Sequence, residues 1–366
     1  MVFVWHFSHG YDGAPVPFSA TPAASLLEEG HTGVALFMTL SGYLFAKLLN
    51  GREVSYRLFL WNRFVRLAPL LVLVLGAVGV MELMGRGDMR GYGLRVVSGI
   101  VLPTWPNGGW SLTCEAHFYV MLPVLLLIVR RRPLAILGVV ATAMLVRTEI
   151  FLVSGNLRGV AYDTIVGRID QFCLGILAFS MRDRMTGRHW MAAGILAAFE
   201  ALYWVFNVAG GYFETRYSPV WIVMPTLEGL AYSSLIAYYD TTYRPGGRGF
   251  SGFLGRVGSY SYSIYLLHFF FVFWLAAFVA KHVDISNFYV ALLWSIPAFA
   301  LMIPIAHLSF RWVEGPFLRL RVRYIRDASP SEPDGVLLEG KGHLPGHDRV
   351  RAADEGSGAG ASDHVT

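Results

Sequence analysis

The sequence predicts an all-α protein, a polytopic transmembrane helix bundle of about ten spans with the first one truncated. Three observations lead there. Hydrophobic residues make up 55% of the chain and charged residues only 15%, where a soluble domain carries about 25% charge. The mean hydropathy is +0.48. The apolar residues also fall into runs of membrane length, divided by arginine-rich segments. Apolar surface on this scale requires an apolar solvent, and a lipid bilayer is one.

A helix needs about 20 apolar residues to cross a hydrocarbon core roughly 30 Å thick. The segments that qualify are 33–49, 64–84, 110–129, 133–153, 168–181, 190–208, 220–239, 260–280 and 288–310, of which 33–49 and 168–181 are short and interrupted. Residues 1–7 have the character of the end of a further span whose start would lie upstream. The intervening charges set an orientation. Arg52, Arg57, Arg63 and Arg66 follow the first complete segment, Arg130 to Arg132 the third, Arg182, Arg184 and Arg188 the fifth, Arg244, Arg248 and Arg256 the seventh, and Arg319, Arg321, Arg323 and Arg326 the last. All fall on one side if each segment crosses once. The excess of positive charge then predicts a multi-pass protein of the cell membrane with these loops and the C-terminus in the cytoplasm. Arg86, Arg90, Arg95, Arg147 and Arg158 fall on the other side.

Residues 1–315 are thus expected to form the membrane domain and 316–366 a cytoplasmic appendage. Within the latter, 317–326 mixes Arg with Leu, Val, Tyr and Ile, as in a helix lying on an anionic leaflet. Beyond Ser329 the chain is rich in Gly, Pro, Asp and Glu and is expected to be a disordered tail. The net charge of +5 is spread between apolar runs, which fits topology and excludes a nucleic-acid surface. The two cysteines, Cys114 and Cys173, lie in apolar stretches and give neither a disulfide framework nor a zinc spacing.

Ionisable groups at membrane depth are costly and mark candidates for function. His6 sits where an apolar segment meets a Pro/Gly-rich loop. A neutral imidazole there could act as a general base near pH 7; spacing alone favours an interfacial histidine beside Trp5. Ser111, Glu115 and Tyr119 are four apart and share a helix face, so Glu115 could orient a histidine, bind a substrate hydroxyl, or serve structurally. Arg63 and Arg66 lie one turn apart and could hold phosphates or simply anchor the helix. His268, in an aromatic span, suits inter-helix hydrogen bonding. Glu200 and Glu228 lie inside spans and could form a proton relay, which keeps open a proton-coupled transporter or flippase of a polar or lipid-linked solute. Glu82, Asp170 and His307 lie near span ends and suit structural roles. No nucleophile elbow, phosphate loop, dinucleotide fingerprint or zinc-protease motif is present.

Five strings carry a resemblance. GVALFMTLSGYLF at 33–45, RFVRLAP at 63–69, WSLTCEAHFYVMLP at 110–123, SYSIYLLH at 261–268 and WVEGPF at 312–317 follow one another in the order of the motifs of the acyltransferase 3 family of membrane acyltransferases. The chain is similar to that family over nearly its whole membrane portion. The resemblance implies about ten helices, an acyl-CoA co-substrate on the cytoplasmic side, and no bound cofactor or metal. It implies an acceptor hydroxyl on a sugar, an envelope polysaccharide or a glycosylated secondary metabolite such as a macrolide. His6 becomes the counterpart of the family's catalytic histidine, with Glu115 beside it in catalysis. Arg63, Arg66, Trp110, Ser111, Tyr119, Ser41, Tyr43 and His268 become expected contacts for substrate or acyl-CoA. Family members carry an arginine about three turns before that histidine. Only five residues precede His6 here, so an upstream translation start is expected.

Overall fold

The computed structural model describes residues 1–9, 21–244, 246 and 248–327. The expected tail beyond Ser329 lies outside the described residues. The rest is almost wholly helical. The principal helices are α1 (Val2–His9), α2 (Gly33–Leu49), α3 (Tyr56–Met84), α4 (Met89–Ser98), α5 (Trp110–Arg131), α6 (Leu137–Ser154), α7 (Arg158–Asp163), α8 (Ile165–Ser180), α9 (His189–Val208), α10 (Val220–Thr242), α11 (Gly249–Ser259), α12 (Ser261–Leu267), α13 (Val272–Ala280) and α14 (Phe288–Ser309). Lipid explains this content, because a span must satisfy its own backbone hydrogen bonds.

Among the described residues seven helices are long and apolar enough to cross a membrane, or eight if the bent pair Ser261–Phe270 and Val272–Ala280 counts as one span. Two expected spans differ in form. The pair at 260–280 bends by 55° just after His268. The segment at 168–181 becomes α8, whose 16 residues rise only about 24 Å. It is the central post of the bundle, and every residue from Gly167 to Leu177 is buried. Its interruptions by Arg168, Asp170 and Gln171 therefore reflect contact with protein on all sides.

Helices α2 and α8 pack backbone to backbone. A Cβ on Gly42 would lie 2.2 Å from the Phe172 carbonyl oxygen, and one on Gly175 would lie 2.1 Å from that of Thr39. Small residues let two backbones approach this closely, and in lipid such packing replaces the hydrophobic drive between helices.

Two arginines inside the bundle meet carboxylates. Arg147 and Asp170, both fully buried, meet at 2.7 Å, and Arg147 also donates to the carbonyls of Ile222 and Val166. Arg147 is thus a strut between α6, α8 and α10, not merely one of the outer-side charges that topology counts. Glu228 accepts from Thr32 at 2.7 Å, Tyr203 at 2.6 Å and Gln171 at 2.8 Å, with Arg168 at 3.5 Å. A carboxylate so fully engaged is a structural hub, and the transport reading loses half its relay.

The arginine-rich loops gather at one end. Arg130 donates to the Leu49 carbonyl at 2.8 Å. Arg52 and Arg130 line one cavity there, and Arg130 and Arg182 another. The segment at 317–326, expected as a surface helix, instead leaves the helical turn Gly315–Leu318 as extended chain. Its last residues, Ile325–Asp327, pair antiparallel with Arg52–Val54. Side-chain hydrogen bonds anchor it: Asn62 donates to the Val322 carbonyl at 2.7 Å and accepts from its N–H at 3.0 Å. Pairing with an otherwise open edge outweighs helix formation here.

Candidate functional site

A cavity of about 610 Å³ runs along α2, lined on that side by residues from Gly33 to Leu48. The fifteen steps from Gly33 to Leu48 rise about 22 Å, so the cavity extends through much of a bilayer's thickness. At the Leu48 end its wall carries Arg63 and Arg66 of α3 and Glu115 and Tyr119 of α5, with Ser41 and Ser111 also lining it. At the Gly33 end it reaches Val2 of α1. Tyr262 and Tyr265 of α12 close a further side.

Local sequence builds this wall. Asn107 and Gly108 adopt φ of +53° and +73° and turn the chain into α5. The Gly108 carbonyl then accepts from Ser111 at 2.9 Å and from Tyr265 at 3.1 Å, joining α5 to α12. The spacing of Ser111, Glu115 and Tyr119 keeps all three on the cavity face, and Tyr119 donates to Glu115 Oε1. Glu115 is 4% exposed, and its Oε2 finds no hydrogen-bond partner among the described residues. A buried carboxylate oxygen beside a cavity and without a partner is poised to accept from a ligand. The Arg63 guanidinium lies 5.3 Å from the Phe45 ring centre and 5.7 Å from that of Phe59. Arg66 pairs with Glu314 at 3.1 Å.

His6 lies one turn beyond Val2 on α1. Its partner is His268, not Glu115: His6 Nδ1 lies 3.3 Å from His268 Nε2, and the rings are 5.1 Å apart. The hydrogen bonds assign the protons. Carbonyls only accept, so His6 Nδ1 must donate to the Val2 carbonyl at 2.9 Å, and His268 Nδ1 to that of Tyr265 at 2.6 Å. His268 Nε2 is then a bare acceptor that shares the His6 Nδ1 proton. His6 Nε2 is left with its lone pair and no partner among the described residues. Phe269, Phe273 and Trp5 pack around the His6 ring at 4.5, 5.8 and 4.8 Å.

Three expected contacts lie apart from the cavity lining: His268, which meets His6 instead, Tyr43 and Trp110. Tyr43 faces away from Ser41 and donates to Asp240 at 2.8 Å, a carboxylate shared with Lys47. The Trp110 ring packs on Tyr162 at 5.0 Å and under Arg168 at 5.8 Å. Conversely, the sequence alone does not single out Tyr265, Ser263 or Glu314 as site residues. Glu314 carried a usable signal as an acidic residue closing an apolar run, inside one of the five family-like strings. Among the described residues no group of His, Cys, Asp and Glu could hold a metal ion.

No curated protein and no solved structure matches the chain. A family model described as an acyltransferase domain matches residues 1–310, from α1 through the whole of α14. With that match spanning both histidines and the cavity-lining arginines, the chain belongs to the acyltransferase 3 family and is a membrane acyltransferase.

Proposed function

We propose that the protein is an O-acyltransferase of the cell membrane. It would move an acetyl or other short acyl group from acyl-CoA to a hydroxyl on a sugar, an envelope polysaccharide or a glycosylated secondary metabolite such as a macrolide. The observation that carries this reading is the cavity along α2. It has two guanidinium groups at one end and comes within one helical turn of a histidine with a bare Nε2 at the other.

The donor's phosphates bind at the arginine end; the excess of positive charge in the Arg-rich loops supports reading that end as cytoplasmic. The thiol arm lies along the cavity and carries the thioester toward α1. There the acceptor hydroxyl gives its proton to His6 Nε2 as its oxygen attacks the thioester carbonyl carbon. The carbon–sulfur bond breaks, and the thiolate leaves with the proton returned by the imidazolium. The products are an ester and free CoA. His268 holds the His6 ring and, through its bare Nε2, favours the imidazolium that forms. Glu115 Oε2 accepts from a donor or acceptor group in the cavity, and Ser41 and Ser111 supply further polar contacts.

Mass spectrometry of the cell's envelope sugars and glycosylated metabolites, with and without the gene, tests this reading. A gain of one acyl mass on an acceptor supports it. Unchanged masses, together with gene-dependent movement of a solute across the membrane, would overturn it in favour of transport.

A further inference from the structure

Arg66 and His6 sit toward opposite ends of the cavity, yet a chain of polar contacts leads from the first toward the second. The Arg66 guanidinium is held on three sides. The Tyr262 ring centre lies 6.0 Å from its central carbon and that of Phe310 5.8 Å away. Nη1 lies 3.1 Å from Glu314 Oε2. Arg66 keeps 22% of its side chain exposed, whereas that of Glu314 is fully buried. Glu314 in turn accepts from the Ser263 hydroxyl through Oε1. Ser263 belongs to α12, five residues before His268, and Tyr262 of the same helix donates to the Leu67 carbonyl beside Arg66 at 2.6 Å.

Phe310 and Glu314 both stand on the one π-helical turn of the described chain, Phe310–Glu314. Such turns are strained relative to the α-helix and recur at functional sites. Here the wide turn delivers a ring and a carboxylate to the same guanidinium. A buried carboxylate is costly in lipid unless paired. The cost is met by an arginine that also lines the cavity, so a purely structural counter-ion is not the whole account.

We propose that Glu314 is a positioning residue for the donor. It fixes Arg66 between Tyr262 and Phe310 with its remaining N–H groups toward the cavity. Through Ser263 it also ties down α12, which ends immediately before His268. The proposal rests on the reading of Arg66 as a phosphate contact. Loss of Glu314 frees the guanidinium, so binding of the anionic donor suffers while the chemistry at His6, farther along the cavity, suffers less.

Steady-state kinetics in detergent or vesicles on four proteins test this: wild type, Arg66→Gln, Glu314→Gln and the double variant. Losing one well-placed contact between the Arg66 guanidinium and a donor phosphate corresponds to about a 10–100-fold change in affinity. Each single variant should raise the donor KM by at least about tenfold with a smaller change in kcat. The donor KM of the double variant should be no worse than that of Arg66→Gln, because Glu314 acts on the donor through Arg66. Glu314→Asp, which keeps the charge on a shorter arm, should restore part of the loss, and it serves as the test variant if Glu314→Gln does not fold. Multiplicative increases of donor KM in the double variant would overturn the proposal and leave the donor reading standing. So would a Glu314→Gln donor KM within twofold of wild type. An Arg66→Gln enzyme with unchanged donor KM would overturn both.

Discussion

Replacing Arg147 with methionine tests what holds the bundle together. Arg147 is fully buried and donates to Asp170 at 2.7 Å, Thr226 at 3.2 Å, and the Ile222 and Val166 carbonyls at 2.9 and 3.1 Å. Methionine fills much of its volume but removes every donor. Asp170, itself fully buried, is left with the Thr226 hydroxyl alone. An uncompensated buried charge costs about 3–5 kcal/mol. At roughly 2 °C per kcal/mol for a long chain, the melting temperature should fall by about 6–10 °C. Adding Asp170→Leu removes the stranded carboxylate, and replacing both members of such a pair is often neutral or stabilising. Melting of both variants in detergent, followed by intrinsic fluorescence, gives the comparison. A single variant that melts with the wild type, or a double variant that melts below the single, would refute the reasoning.

Three further outcomes follow from particular contacts. Gly175→Ala places a Cβ against the Thr39 backbone and should force α2 and α8 apart, lowering the melting temperature and the yield of folded protein more than Gly138→Ala, where a Cβ meets open space. Asp163, in α7 outside the long spans, has its carboxyl pushed up to about 6 by burial, against the pull of Arg168 and Arg158. A raised carboxyl favours the fold below its ordinary range and loses that contribution as pH rises through about 6, so Asp163→Asn should stabilise the protein at pH 7.5 and change little at pH 4. Arg63→Gln removes a cation lying over Phe45 and Phe59 at the donor end of the cavity and should raise the donor KM by about tenfold or more with a smaller effect on kcat.

The helical class was legible because lipid imposes it: long apolar runs admit few alternatives. The cavity face of α5 was legible for a similar reason, since residues four apart must share a side, and Ser111, Glu115 and Tyr119 do. What the sequence hid was the pairing of distant segments. Arg147 sits within an expected span and Arg168 at the start of another, and hydropathy alone names no partner for either. Only the packing of α6, α7, α8 and α10 shows that each meets a carboxylate inside the bundle. The pairing of His6 with His268 bridges 262 positions, and no local periodicity encodes it. Tyr43 shows the converse limit. It lies in the same motif as Ser41, but the 100° step of a helix turns it away from the cavity and toward Asp240.

The central claim is that the lone pair on His6 Nε2 takes the proton of the acceptor hydroxyl. Transfer of a labelled acyl group from acyl-CoA to acceptor, measured for wild type and His6→Ala in the same vesicles, tests it most directly. Loss of a general base predicts a fall in rate of about 10²–10⁴-fold with donor binding retained. Transfer by His6→Ala within a few-fold of wild type would contradict it.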